Sequence, residues 1–131
     1  MIVGAGAAGM ETARVAALRG HEATLFERTS KIAPQIKLAP SPPTKDNVNR
    51  VWEWLKCEVK KLKNTKIELG KEVTADTVKA FRPDALVIAA GAKPVIPDIP
   101  GVKNSNAVGY QDLLAAQSTV KGKNVVVGWL R

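Results

Sequence analysis

The chain has 131 residues, 45% of them hydrophobic and 24% charged, which suits one globular domain with a core and excludes wholesale disorder. Its net charge of +8 raises nucleic acid as a partner, but the excess gathers in Lys56, Lys60, Lys61, Lys63 and Lys66 with no aromatic stacking platform interleaved, so it reads as a solvated face. No apolar run approaches the ~20 residues of a membrane span, no basic leader precedes Ile2, and the single Cys57 excludes an internal disulfide or a cysteine cluster; a cytoplasmic protein with no membrane or nucleic-acid partner is expected.

In chain order, Ile2 and Val3 are the tail of an apolar strand, and the glycines after them lead into Ala7–Arg19, rich in helix formers. Small residues among its apolar positions (Met10, Ala13, Val15, Ala16, Ala17) let that helix lie close on a sheet, and Gly20 stops it. His21–Glu27 reads as a second strand, making a β-α-β unit with parallel strands. Four prolines (Pro34, Pro40, Pro42, Pro43) make Thr29–Lys45 a loop. Val48, Val51, Trp52, Leu55, Val59 and Leu62 then follow helical spacing as one core-facing stripe, capped by Thr44 or Asp46, with Trp54 and Cys57 off the stripe. Lys66–Gly70 predicts a third strand, "VTADTVKAF" a short helix, and Asp84–Gly91 a buried parallel strand. After Pro94, Pro97 and Pro100, the pattern predicts a helix over Tyr110–Gln117 and a last strand over Asn124–Gly128. This alternation is an α/β fold, a Rossmann-like parallel sheet with flanking helices.

Gly4, Gly6 and Gly9 form G-x-G-x-x-G between the first strand and the first helix, with Glu27 ending the next strand 18 positions after Gly9. Gly4 permits the tight turn, Gly6 lets backbone approach a pyrophosphate, and Gly9 lets helix and strand pack closely. Free amides at the helix start, on Ala7 and Ala8, face the phosphates with the helix dipole behind them. The Glu27 carboxylate can accept from ribose hydroxyls and would repel a 2′-phosphate, which disfavours NADP here; Arg28 beside it joins the expected contact set. His21 reads as a solvated turn residue. Nothing has the setting of a general acid, nucleophile or metal ligand, so no catalytic and no metal-binding residue is assigned.

"IVGAGAAGMETARVAALRGHEATLFER", "PDALVIAAGAKPVIPDIPG" and "GKNVVVG" together resemble the FAD-binding region of flavoprotein oxidoreductases with two dinucleotide-binding domains. The likeness is to the C-terminal part of the 2,4-dienoyl-CoA reductase, 2-enoate reductase and trimethylamine dehydrogenase family, the NADH:flavin oxidoreductases. The resemblance implies that Gly4, Gly6 and Gly9 lie under the pyrophosphate of FAD, or of ADP alone, and that Glu27 meets the adenosine ribose. Val73 would offer its backbone to adenine, and Gln35 with Ala89, Ala90 and Gly91 would lie toward the pyrophosphate and flavin. It also implies a division into 1–122, the N-terminal part of an FAD-binding domain, and 123–131, the first strand of a truncated NAD(P)H-binding domain. The remainder of such an enzyme would include an FMN barrel with an iron-sulfur cluster; a fragment of this kind is expected to be inactive alone and to self-associate through exposed strands.

Two departures from the family pattern lie at the flavin end. Ala33 and Pro34 stand before Gln35 where the family shows two glycines, and Ala90 replaces the threonine of Ala-Thr-Gly. Losing the glycines costs about 1–3 kcal/mol if the original backbone conformation is required. A non-catalytic ADP or adenine-nucleotide module is therefore the alternative function.

Overall fold

The computed structural model describes residues 1–33, 36–116, 119–120 and 122–128. Its elements run β1 (Ile2–Val3), α1 (Ala7–Leu18), β2 (Ala23–Glu27), α2 (Asn47–Lys61), β3 (Thr65–Leu69), α3 (Ala75–Phe81), β4 (Val87–Ile88) and α4 (Tyr110–Leu114), with a single 3-10 turn at Ile36–Leu38. The strands form one parallel sheet in the order β3-β2-β1-β4. This is the expected α/β, Rossmann-like arrangement. The chain divides into two compact units, Met1–Gly91 and Ala92–Arg131.

In the first unit, α1 lies on the sheet because its inner face is small: Gly9, Met10, Ala13 and Ala17 are buried against a core that includes Ile2, Leu25, Trp52, Leu55 and Val59. Gly20, at φ 88°, ends α1, with Gly20 N donating to Ala17 O and His21 N to Ala16 O. Asn64 ties the entrance of β3 to that end, donating from Nδ2 to Ala17 O and His21 O. On α2 the core stripe narrows to Trp52, Leu55 and Val59, with Val48 and Leu62 half-buried. Val51 leaves the predicted stripe at 65% exposed, because the indole of Trp52, one position on, takes the inward direction. Trp54 and Cys57 are exposed as expected, and the Arg14 guanidinium sits 5.4 Å from the Trp54 ring centre, joining α1 to α2. Asp46 occupies the N-cap position of α2 in helical geometry, and its carboxylate makes no capping bond. The lysine-rich surface carries close ion pairs: Lys56 with Glu53, Lys61 with Glu58, and Lys66 and Lys71 with Glu68.

Two strand expectations need correction. Asp84–Gly91 contributes only the two-residue β4, and Ile88 is 74% exposed. Among the described residues β4 is an edge strand whose one partner, β1, is itself cut short where Gly4 turns at φ 103°, so the ladder has nothing to extend along. Asn124–Gly128 forms no strand, and the three valines Val125 to Val127 are exposed. In the second unit α4 is shorter than predicted, closing at Ala116 with φ 55°; Gln117 lies outside the described residues.

Candidate functional site

The site is built where β1 meets α1. Gly4 N donates to Phe26 O at 2.8 Å, and at φ 103° its backbone suits only glycine. A Cβ there would also strike the Ala89 carbonyl oxygen and lie 3.0 Å from Ala90 Cα, so the Ala89–Ala90 backbone passes directly against the loop. A Cβ on Gly9 would overlap the Gly4 carbonyl oxygen and lie 3.3 Å from Leu25 Cδ1; that glycine is required by packing. Gly6 differs from both, since a Cβ there would meet nothing within 4 Å. The turn is therefore tight beneath Gly4 and Gly9 and open above Gly6.

Gly6 is the N-cap of α1 and brings no side chain to cap it. The first helical bond is Met10 N to Gly6 O, so the N–H groups of Ala7, Ala8 and Gly9 have no acceptor among the described residues. Ala7 and Ala8 are exposed, and no acidic residue stands in the first turn of α1 to compete for its positive end. Such an end is suited to an anion.

Glu27 closes the site from the end of β2. It is only 8% exposed, and its carboxylate accepts from Ala5 N, Thr29 N and Thr29 Oγ1 at 2.9–3.0 Å. Burial favours the neutral acid, but the bonds from Thr29 and Ala5, with the nearby Arg28 charge, prevail and hold the carboxyl below the ordinary glutamate range. Arg28 itself is exposed. Lys71 N donates to Glu27 O and Gly70 N to Thr29 O, which carries the segment after β3 alongside; Val73 follows half-buried, its backbone N–H and C=O unbonded among the described residues.

The structure thus brings together Gly4, Gly6, Ala7, Ala8, Gly9, Glu27 and Arg28, with Ala90 against the loop, Gly91 next to it in the chain, and Val73 on the chain paired to Glu27. Gln35 lies outside the described residues. Ala33 sits at φ 45° and is 2% exposed, so it takes a left-handed conformation despite its methyl group. Ala5 and Thr29 were not foreseen. Ala5 acts through backbone, which leaves no residue-type signal; a hydroxyl two positions beyond an acid was the one available clue to Thr29.

Residues 1–128 match the pyridine nucleotide-disulphide oxidoreductase family. The chain is 38% identical over 128 residues to a bilirubin reductase of Mediterraneibacter gnavus, covering 98% of this chain and 20% of the relative. It is 36% identical over 132 residues to an NADH oxidase of Thermoanaerobacter brockii, covering 97% and 20%. The solved structure of a 2-naphthoyl-CoA reductase with 2-naphthoyl-CoA superposes with a TM-score of 0.78 at 38% identity, covering 90% of this chain and 18% of that one. The chain spans about a fifth of the length of these relatives. A match along nearly all of the sequence, with the same fold and the glycine loop in place, leads to one conclusion: the chain belongs to the pyridine nucleotide-disulphide oxidoreductase family, and its likeness to the reductase branch holds.

Proposed function

We propose that the chain is the FAD-binding part of an NAD(P)H-dependent flavoprotein oxidoreductase of the enoyl- or dienoyl-reductase type. The observation that carries this is the donor set at the start of α1: acceptor-free N–H groups on Ala7 and Ala8 above an open Gly6, beside the buried carboxylate of Glu27. In this reading Gly4 and Gly9 hold the turn, Gly6 to Gly9 receive the pyrophosphate, and Glu27 accepts from the adenosine ribose, disfavouring a 2′-phosphate. Arg28 flanks the ribose, Val73 offers its free backbone groups to adenine, and Gln35, Ala90 and Gly91 lie toward the flavin.

Flavin, when bound, supplies the redox chemistry. The chain's residues bind and orient it, and none is proposed as catalytic. Residues 1–122 are assigned to the FAD domain and 123–131 to the opening of an NAD(P)H domain. The rest of the enzyme, with its FMN barrel and iron-sulfur cluster, would complete the activity in the cytoplasm. Relatives named as reductases of bilirubin and of 2-naphthoyl-CoA support reduction of an unsaturated substrate.

The second reading, a non-catalytic ADP module, is favoured by Ala33, where the left-handed conformation costs an alanine about 1–2 kcal/mol and strains the flavin end alone. Calorimetry with ADP and absorbance with FAD separate the two. Uptake of both, with a flavin band near ~450 nm retained after desalting, supports the FAD reading. Uptake of ADP without FAD supports the second, and binding of neither sinks both.

A further inference from the structure

Both oxygens of the Glu27 carboxylate are engaged by the protein itself. Oε2 accepts from Ala5 N at 2.9 Å, while Oε1 accepts from Thr29 N at 2.9 Å and from Thr29 Oγ1 at 3.0 Å. Two donors fill the acceptor sites of Oε1, whereas Oε2 has one site left. The Thr29 hydroxyl also reaches Lys31 O at 2.8 Å, so its single proton has two acceptors on offer. That proton is shared between the two: Lys31 O is the nearer, and the charged carboxylate is the stronger acceptor.

We infer that Thr29 is the positioning residue of the carboxylate: its N–H and hydroxyl hold Glu27 Oε1 and leave Oε2 as the acceptor presented to a ribose hydroxyl. The inference rests on the adenine-nucleotide reading of the site. An unheld carboxylate would have to be immobilised when the nucleotide arrives, and one already held does not. Thr29 acts through Glu27 and has no contact of its own assigned to the nucleotide.

Among the described residues the charged surroundings of Glu27 are few. Arg28 follows it on the same strand end, the positive end of α1 faces it from the glycine loop, and Lys71, on the segment after β3, is drawn to Glu68 at 2.7 Å. Substituting Thr29 leaves all of these in place, so a change in Glu27 titration reports the lost hydroxyl. Thr29→Val keeps the N–H and the shape but not the hydroxyl; Thr29→Ser restores the hydroxyl, and Thr29→Ala serves where the valine does not fold.

The experiment measures ADP affinity of the 131-residue chain by calorimetry as a function of pH, and separately the Glu27 carboxyl titration by carbon-detected NMR without nucleotide. Thr29→Val is expected to bind ADP about tenfold more weakly, the scale of one hydrogen bond to a charged group. Its acid limb and the Glu27 titration should both move to higher pH, and Thr29→Ser should restore both. Unchanged affinity and titration in Thr29→Val, or a serine variant as impaired as the valine, overturns the inference. Absence of ADP binding by the wild-type chain refutes the adenine-nucleotide reading instead, and the nucleotide-free titration still judges the hold of Thr29 on Glu27.

Discussion

Gly6 and Gly9 belong to one motif, yet the structure gives them opposite jobs, and a pair of alanine substitutions separates them. In Gly9→Ala the new Cβ overlaps the Gly4 carbonyl oxygen, with Gly4 C at 3.1 Å and Leu25 Cδ1 at 3.3 Å. The obstacle is backbone, held in turn by the Gly4 N–Phe26 O bond, so α1 must shift off the sheet. Overpacking of this kind costs about 1–3 kcal/mol, while the better helix propensity of alanine returns less than about 1 kcal/mol in a first turn. A net loss of about 2 kcal/mol lowers the melting temperature by about 8–16 °C for a unit of this size. Gly6→Ala meets no atom, has an ordinary φ of −77°, and costs only about 0.5 kcal/mol as a poorer N-cap. Its methyl instead enters the space proposed for the pyrophosphate. Far-UV circular dichroism melts and ADP calorimetry on both variants read the difference: Gly9→Ala should lose stability, and Gly6→Ala should keep stability and lose ADP binding. A Gly9→Ala melt within about 2 °C of wild type, under a quarter of the expected shift, would refute the packing argument. Wild-type ADP affinity in Gly6→Ala would refute the approach argument.

Three further outcomes are expected. Glu27→Gln keeps the shape but turns an N–H group toward Ala5 N or Thr29 N, whichever way the amide lies; a stability loss of about 1–3 kcal/mol in urea unfolding and weaker ADP binding follow, and an unchanged urea midpoint contradicts them. Stability should fall in acid: the folded-state pKa values of Glu27, Glu11 and Glu68 are depressed, Glu68 to about 2 by Lys66 and Lys71, so their contribution is complete above the ordinary value of 4.5 and is lost as pH drops toward 2. Urea midpoints that stay level across that range would argue against these carboxylates being held. Val126 is 96% exposed between two other exposed valines, so the chain should self-associate and Val126→Lys should weaken it; sedimentation showing a clean wild-type monomer from micromolar to millimolar concentration would contradict this.

The elements legible in the sequence are those whose pattern is local. The glycine spacing, the small inner face of α1 and the stop at Gly20 all survive into the structure with their physical reasons intact. What was not legible depends on a neighbour. Asp84–Gly91 and Asn124–Gly128 have the apolar runs of buried strands, but a strand is only as long as its partner, and β1 offers Asp84–Gly91 two residues. Thr74 and Thr77 form a capping box that fixes α3, with threonine in the place where glutamate or glutamine usually signals one. At the site, Glu27 was legible by position, but its burial and its bonds to Ala5 and Thr29 were not, because they depend on how the loop folds back over β2. Ala33 shows the limit of reading a substitution alone: the alanine takes a left-handed backbone that its side chain disfavours.

The central claim, that an adenine nucleotide sits on the start of α1 beside Glu27, is tested most directly by amide NMR of the chain titrated with ADP. The account predicts shifts concentrated at Gly6, Ala7, Ala8 and Gly9, with smaller ones at Thr29 and Val73. Shifts confined to the lysine-bearing end of α2 and β3, from Lys56 to Lys66, would show that phosphate is only drawn to a basic surface and would contradict it.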